Sequence, residues 1–260
     1  MPTETVRYEE AKGIARITFN RPDALNAMNR DLLLEVGALL DQVKADDAVK
    51  AVIVTGAGDK AFSAGADIAF LNRASPLEVR DLARTAVAVN AKIEALGKVV
   101  VAALNGYALG GGLELAEACS LRVAVRGARL GHPEVAIGAI AGFGGTTRLP
   151  RLIGKGRAAE LLLTGRLVGA DRALEMGLVN EVVEPAELLP RSEALVREIL
   201  SRSPLAVRMT WEAVHRGLNL SLEESALLGA DYFGLVAATS DFREGTRAFL
   251  EKAAPSFTGS

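Results

Sequence analysis

The chain has 260 residues, half of them hydrophobic and 24% charged, which fits a globular protein with a sizeable core. A formal net charge of −2, with no block of like charge, argues against nucleic-acid binding or membrane-surface attachment through charge alone. Cys119 is the only cysteine, so an internal disulfide is excluded and a reducing compartment is expected.

The first 22 residues lack the charged-then-apolar pattern of a secretory leader and carry acids that transit peptides avoid, so a cytoplasmic location is expected. "TVRYEE" and "IARITF" predict short strands with Gly13 near their turn. "NRDLLLEVGALLDQVKAD" has helical spacing, with Asn29 as its N-cap. "KAVIVTG" and "VVVAAL" are β-branched runs of the buried-strand type. Between them a long helix opens on a capping box, with Ser75 at N-cap, Pro76 at N1 and Glu78 at N3. "SLRVAV" and "ARLGHPE" follow as short strands or turns. After about residue 150, "GKGRAAELLLTG" and "GADRALEMG" predict short helices, and "LVNEVV" a strand. From Pro185 onward only helical patterns occur, including a second capping box from Ser221 to Glu224. The layout is an α/β body followed by a helical tail, with no internal sequence repeat.

Three glycine-rich stretches carry the chemistry. In "ALGGGLEL", glycines between a strand and a helix let a ligand approach the backbone, and free N–H groups at the helix start favour negative charge. The Walker pattern is absent, and Leu115 stands where a dinucleotide fingerprint needs its third small residue. Another use is an oxyanion hole, which usually needs two backbone donors. Ala64-Gly65-Ala66 in "FSAGADIAFL" presents a second set, also after a buried strand. In "GHPEVAIGAIAGFGG", Pro133 fixes the turn before Glu134, and Gly138, Gly142, Gly144 and Gly145 follow among apolar residues. A carboxylate in such surroundings is expected to be partly desolvated, which raises its pKa and suits acid–base work. Glu114 and Glu134 with two backbone donors would handle a carbonyl compound through an enolate.

Plainer readings stand beside these. Glu114 three residues after Gly111 fits an acid that caps its own helix start. Glu117 reads as a solvated or interface residue, and Asp67 as the N-cap of "IAFLNR". His132 and His215 have no partner motif, which favours structural or surface roles. Cys119 and Trp211 read as packing residues. No metal-ligand spacing occurs.

The chain closely resembles an enoyl-CoA hydratase of the crotonase superfamily. The resemblance rests on "ITFNRPDALNAMN", "AFSAGADIAFL", "NGYALGGGLELAEAC", "GHPEVAIGAIAGFGGTTRLPRLIGKGRA", "ALEMGLVNEVV" and "SDFREGTRAFLEK", which run in family order from near residue 13 to near residue 257. It implies an α/β, crotonase-like spiral of ββα units over residues 1–195. It also implies a C-terminal helical region, 196–260, that builds homotrimers, often paired into hexamers. It implies an acyl-CoA thioester substrate, with coenzyme A as part of the substrate and no further cofactor or metal, and a place in fatty acid metabolism such as β-oxidation. By motif position, Ala66 and Gly111 would supply the oxyanion N–H groups. Glu114 and Glu134 would be the catalytic pair, Glu114 as base on a water and Glu134 as acid toward C2. Ala64, Asp67, Ile68 and Ala69 would line the CoA path, Ala24 would border it, and Gly142 would lie near the acyl chain. Two departures from the family pattern are Ser120, where an aspartate is usual, and Ala141, where proline is frequent.

Both acids favour hydration over the isomerase or pathway-specific dehydratase activities of the same family. One branch of the family binds RNA through a lysine-rich helix. Here the corresponding helix, Pro76 to Gly97, mixes Arg80, Arg84 and Lys92 with Glu78, Asp81 and Glu94, so no nucleic-acid partner is expected.

Overall fold

The computed structural model describes residues 5–260, so the first four residues of the leader reading lie outside the described residues. The chain divides into two compact units, Met1–Glu193 and Ala194–Ser260.

In the first unit, β1 (Val6–Ala11) and β2 (Ile14–Phe19) form an antiparallel hairpin that turns at Lys12 and Gly13. Helix α1 (Arg30–Ala45) starts where Asn29 accepts a hydrogen bond from the Leu32 N–H, as its sequence predicts. Three ββα turns of chain follow. The first comprises β3 (Ala51–Gly56), β4 (Ala61–Ser63), α2 (Ile68–Arg73) and α3 (Pro76–Glu94). The second comprises β5 (Val99–Leu104), β6 (Tyr107–Leu109) and α4 (Gly111–Ala118). The third comprises β7 (Leu121–Val125), β8 (Arg129–Gly131), a 3-10 turn over Pro133–Ile137 and α5 (Gly145–Ile153). The unit is completed by α6 (Lys155–Thr164), β9 (Val168–Gly169), α7 (Ala170–Met176), β10 (Glu181–Val183) and the start of α8 (Leu188–Leu200).

Each ββα turn gives its longer strand to one sheet and its shorter strand to another. The larger sheet has the order β1-β2-β3-β5-β7-β10, parallel apart from the first hairpin. Its central strands are covered on both faces, which is why β3 and β5 read as unbroken apolar runs rather than alternating ones. The smaller sheet has the order β4-β6-β8-β9, with the first three strands parallel. Phe19 and Phe62, both fully buried, meet edge to face between these layers at 5.2 Å. The repeat leaves no mark in the sequence because its second strands are only three residues long.

Parallel alignment in the smaller sheet decides where the motifs go. The segments leaving β4, β6 and β8 emerge at the carboxyl ends of three neighbouring strands, the usual ligand-binding edge of such sheets. These segments begin at Ala64, Gly110 and His132, the three stretches singled out from sequence. The Gly110 N–H donates to the Gly131 carbonyl at 2.9 Å and stitches the second segment to the third.

The second unit contains the end of α8, then α9 (Pro204–Gly217), α10 (Leu222–Ala237) and α11 (Ser240–Glu251). The capping box predicted at Ser221 and Glu224 is present. Tyr232 on α10 hydrogen-bonds Glu212 on α9 at 2.8 Å. The Asp241 carboxylate accepts the Thr258 and Gly259 N–H groups and ties down the last residues. Leu222, Phe233, Phe249 and Leu250 are strongly exposed. Among the described residues, no helix is long and apolar enough to cross a membrane.

Candidate active site

The first wall of the site is the loop after β4. Gly65 takes φ +103°, and its carbonyl accepts the Met28 N–H at 2.7 Å. Asp67 N–H returns a bond to the Met28 carbonyl at 3.0 Å, and Ala64 N–H donates to Leu25 at 3.0 Å. These bonds hold the turn containing Ala24 beside Ala64 and Ala66. Asn26, fully buried, clamps the same turn by donating to the Ala57 and Ala61 carbonyls. The Asp67 carboxylate caps α2 through the Phe70 N–H, as predicted, and also pairs with Arg21 at 2.9 Å. Burial works against its charge, but the Arg21 partner and the cap hold its pKa below the ordinary value. Ile68 and Ala69 begin α2 and are exposed. Arg21 and Asn26 were not singled out from sequence, since their partners are set only by this loop-to-loop pairing.

The second wall is the turn into α4. Gly110 adopts φ +47°, and a Cβ there would come within 2.7 Å of Glu134 Oε1, so only glycine admits the carboxyl at this distance. Gly111 begins the helix, where an N–H has no intrahelical acceptor. The Cβ position of Gly111 lies 3.6 Å from the Ala66 nitrogen, and that of Gly65 lies 3.6 Å from the Gly111 nitrogen. The two loops therefore touch, and among the described residues neither the Ala66 nor the Gly111 N–H has an acceptor. The Phe143 ring closes against Gly111.

Glu114 lies one turn into α4 and is 1% exposed. Its Oε1 accepts two backbone N–H groups, from Phe143 and Gly145, each at 2.7 Å. Gly145 is the first residue of α5, so the carboxylate caps that helix rather than its own. Burial pushes the Glu114 carboxyl up to about 7; the Gly145 hydrogen bond and His132 oppose the rise, and Glu134 and Glu117 add to it. The α5 side of this cradle is held in turn by Asn90 of α3, which donates to the Phe143 carbonyl at 3.0 Å. Gly142 precedes Phe143 and is exposed, whereas Ala141 is buried.

Glu134 sits in the 3-10 turn after β8, with a side chain 15% exposed. Its Oε2 has no hydrogen-bond partner among the described residues. The third wall corrects the reading of Glu117 as a solvated or interface residue: it is buried and bonded to His132, for which the sequence favours structural or surface roles and which is buried too, His132 Nε2 to Glu117 Oε1 at 2.8 Å. Glu117 turns inward because α4 is buried on every side, so no face of it meets solvent. Burial depresses the His132 pKa, but the Glu117 bond and the Glu134 carboxylate outweigh it and raise the value to about 10. The signal was present in the sequence: Glu114 and Glu117 stand at i, i+3, one above the other on one helix face. Ser120 accepts the Val100 N–H at 3.1 Å near the start of β5, away from this chemistry.

The arrangement offers two unpaired amide donors beside two carboxyl groups from different segments, a geometry suited to stabilising an oxyanion while moving protons. A sequence model of the enoyl-CoA hydratase/isomerase family matches residues 9–260. The chain belongs to this family. It is 46% identical to the crotonyl-CoA hydratase of Syntrophomonas wolfei over 257 residues, 99% of each chain. It is 41% identical to the short-chain-enoyl-CoA hydratase of Clostridium acetobutylicum, covering 97% of each. Among solved structures it matches the enoyl-CoA hydratase of Bacillus anthracis with a TM-score of 0.94 at 38% identity, covering 99% of this chain and 100% of that one. The ββα spiral expected of the crotonase fold is therefore the fold of this member.

Proposed function

We propose that the chain is an enoyl-CoA hydratase that adds water reversibly to a 2-trans-enoyl-CoA to give a 3-hydroxyacyl-CoA. The observation that carries this reading is the meeting of the Ala66 and Gly111 amides with the Glu114 and Glu134 carboxyls at one sheet edge. The thioester oxygen accepts both N–H groups, which favours the electron-rich enolate over the ground-state carbonyl. Ionised Glu114 takes a proton from water, the water oxygen bonds to C3, and the electron pair of the double bond moves toward the thioester. Glu134 then acts as the acid that delivers a proton to C2. A base whose pKa stands near 7 suits this task, because a large share of it is ionised at neutral pH while it still binds a proton strongly.

In this reading Ala24, Ala64, Asp67, Ile68 and Ala69 border the coenzyme A path, and Gly142 the acyl chain. Coenzyme A enters as part of the substrate, and no other cofactor is invoked. The exposed apolar side chains of α10 and α11 support an oligomerising role for the second unit, as a homotrimer or a dimer of trimers. We place the enzyme in the cytoplasm and in fatty acid β-oxidation, a setting consistent with its single buried cysteine.

The test is hydration of 2-enoyl-CoA thioesters of graded length by the wild type and by Glu114→Gln and Glu134→Gln. Each variant should lose about 10²–10⁴-fold in kcat while KM changes little. A near-normal rate in either removes that residue from the mechanism. Faster turnover of a 3-enoyl-CoA than of the 2-enoyl compound would make the protein an isomerase.

A further inference from the structure

His132 and Glu117 form a buried ion pair beside Glu134. Both side chains have zero exposure. Taking two charges out of water costs several kcal/mol per ion before their attraction is counted, so such a pair is weak as a stabilising device (~several kcal/mol). Its location suggests a different use. His132 Nε2 is taken by Glu117, and Nδ1 points toward Glu134 Oε1 at 3.8 Å. His132 Nδ1 and Glu134 Oε2 are both buried polar atoms without a hydrogen-bond partner among the described residues. The ring packs close to Gly145, where the absence of a side chain makes room for it: its Cε1 lies 2.8 Å from where a Cβ would stand.

We propose that His132, oriented by Glu117, is a positioning residue that holds the Glu134 carboxyl in its reactive orientation. The proposal rests on the reading of Glu134 as the acid toward C2. Glu114 is aimed by two backbone donors, but among the described residues Glu134 has no backbone donor, and Nδ1–H is the group placed to aim it. A shift of roughly 1 Å brings 3.8 Å to ordinary hydrogen-bond length. The raised His132 pKa keeps both ring nitrogens protonated at neutral pH, so Nδ1 is a donor whatever tautomer the neutral ring would choose. The charged groups that face the ring are Glu114 and Glu117 from α4 and Glu134 from its own turn. Arg122 of β7 and Arg148 of α5 lie farther out, where they act on Glu117.

The kinetic test uses Glu117→Leu/His132→Phe, which removes both charges and keeps a ring against Gly145. It should lower kcat by about 10²-fold with KM within about twofold, the signature of a misplaced catalytic group. Added to Glu134→Gln, the same pair of substitutions should cost almost nothing further, because there is no longer an acid to aim. A kcat close to wild type in the pair variant, with Glu134→Gln severely impaired, overturns the proposal. A near-normal Glu134→Gln instead overturns the acid–base reading beneath it. If the pair variant does not fold, ¹⁵N-histidine spectra decide the matter without kinetics, since the chain has only two histidines. Glu134→Gln should shift the His132 Nδ1 resonance and lower the pH at which the ring titrates. An unchanged resonance and titration point overturn the proposal.

Discussion

The two carboxyl groups of the site are held in opposite ways. Glu114 is fixed by backbone: two N–H groups, one of them the start of α5, converge on a single oxygen. Among the described residues Glu134 has only the His132 side chain nearby, at 3.8 Å, and one oxygen is left without a partner. The difference suits two tasks. A base that must take a proton from water gains from a rigid, dry cradle that raises its affinity for that proton. An acid that must follow a carbon changing from flat to tetrahedral gains from a looser hold that one neighbouring side chain can tune.

Disturbing the rigid half should have the largest effect. In Gly145→Ala the new Cβ meets His132 Cε1 at 2.8 Å and Glu114 Cγ at 2.9 Å, and it cannot be accommodated without moving the base. Overpacking of this kind costs about 1–3 kcal/mol, and displacement of the base should lower kcat by about 10²-fold. Thermal unfolding and steady-state kinetics would check the two effects, and an unaltered kcat would mean that the cradle is softer than its bonds imply.

The halves should also separate by pH. Hydration needs ionised Glu114, so kcat should fall as pH drops through about 7, and this limb should vanish in the residual activity of Glu114→Gln. Stability carries a second signature. Both shifts are upward, so both groups favour the folded state in their protonated forms. The Glu114 contribution is complete below its ordinary value of 4.5 and is lost as pH rises through about 7. The His132 contribution is complete below 6.5 and is lost as pH rises toward about 10. The wild-type Tm should therefore decline from neutral pH toward about 10, and Glu117→Leu/His132→Phe should flatten that decline. A flat wild-type profile would show that His132 is not held as the imidazolium.

The smallest effect is expected one layer out. Asn90→Ala removes the shorter of two side-chain hydrogen bonds to the Phe143 carbonyl and leaves that oxygen to Arg148 Nη1 at 3.4 Å, at a cost of about 0.5–1.5 kcal/mol. The Phe143 N–H still reaches Glu114, so kcat should fall by less than about tenfold. A larger loss would mean that α3 helps to set the rigid half.

Much of the local structure was legible in the chain itself. Asn29, Ser75 and Ser221 cap their helices where short polar side chains stand before periodic apolar runs, because a cap needs only neighbours within one turn. The glycines around Glu114 and Glu134 marked places of close backbone approach, and the structure puts backbone and carboxyl groups there. The His132–Glu117 pair was hidden for the converse reason. Its members are 15 residues apart, and they meet only because β8 lies beside β6 and delivers His132 under the face of α4.

By itself, then, the sequence determined the longer strands and most of the helices, several helix starts and the chemical kinds available at each glycine-rich turn, all properties that local backbone preference and side-chain type settle within a few residues. The tertiary structure alone decided which of those turns share a space. The parallel order β4-β6-β8 brings residues 64–66, 110–114 and 132–134 to one edge. Burial then converts ordinary acids and a histidine into groups with shifted protonation, since desolvation depends on everything packed around a side chain and not on its neighbours in the chain.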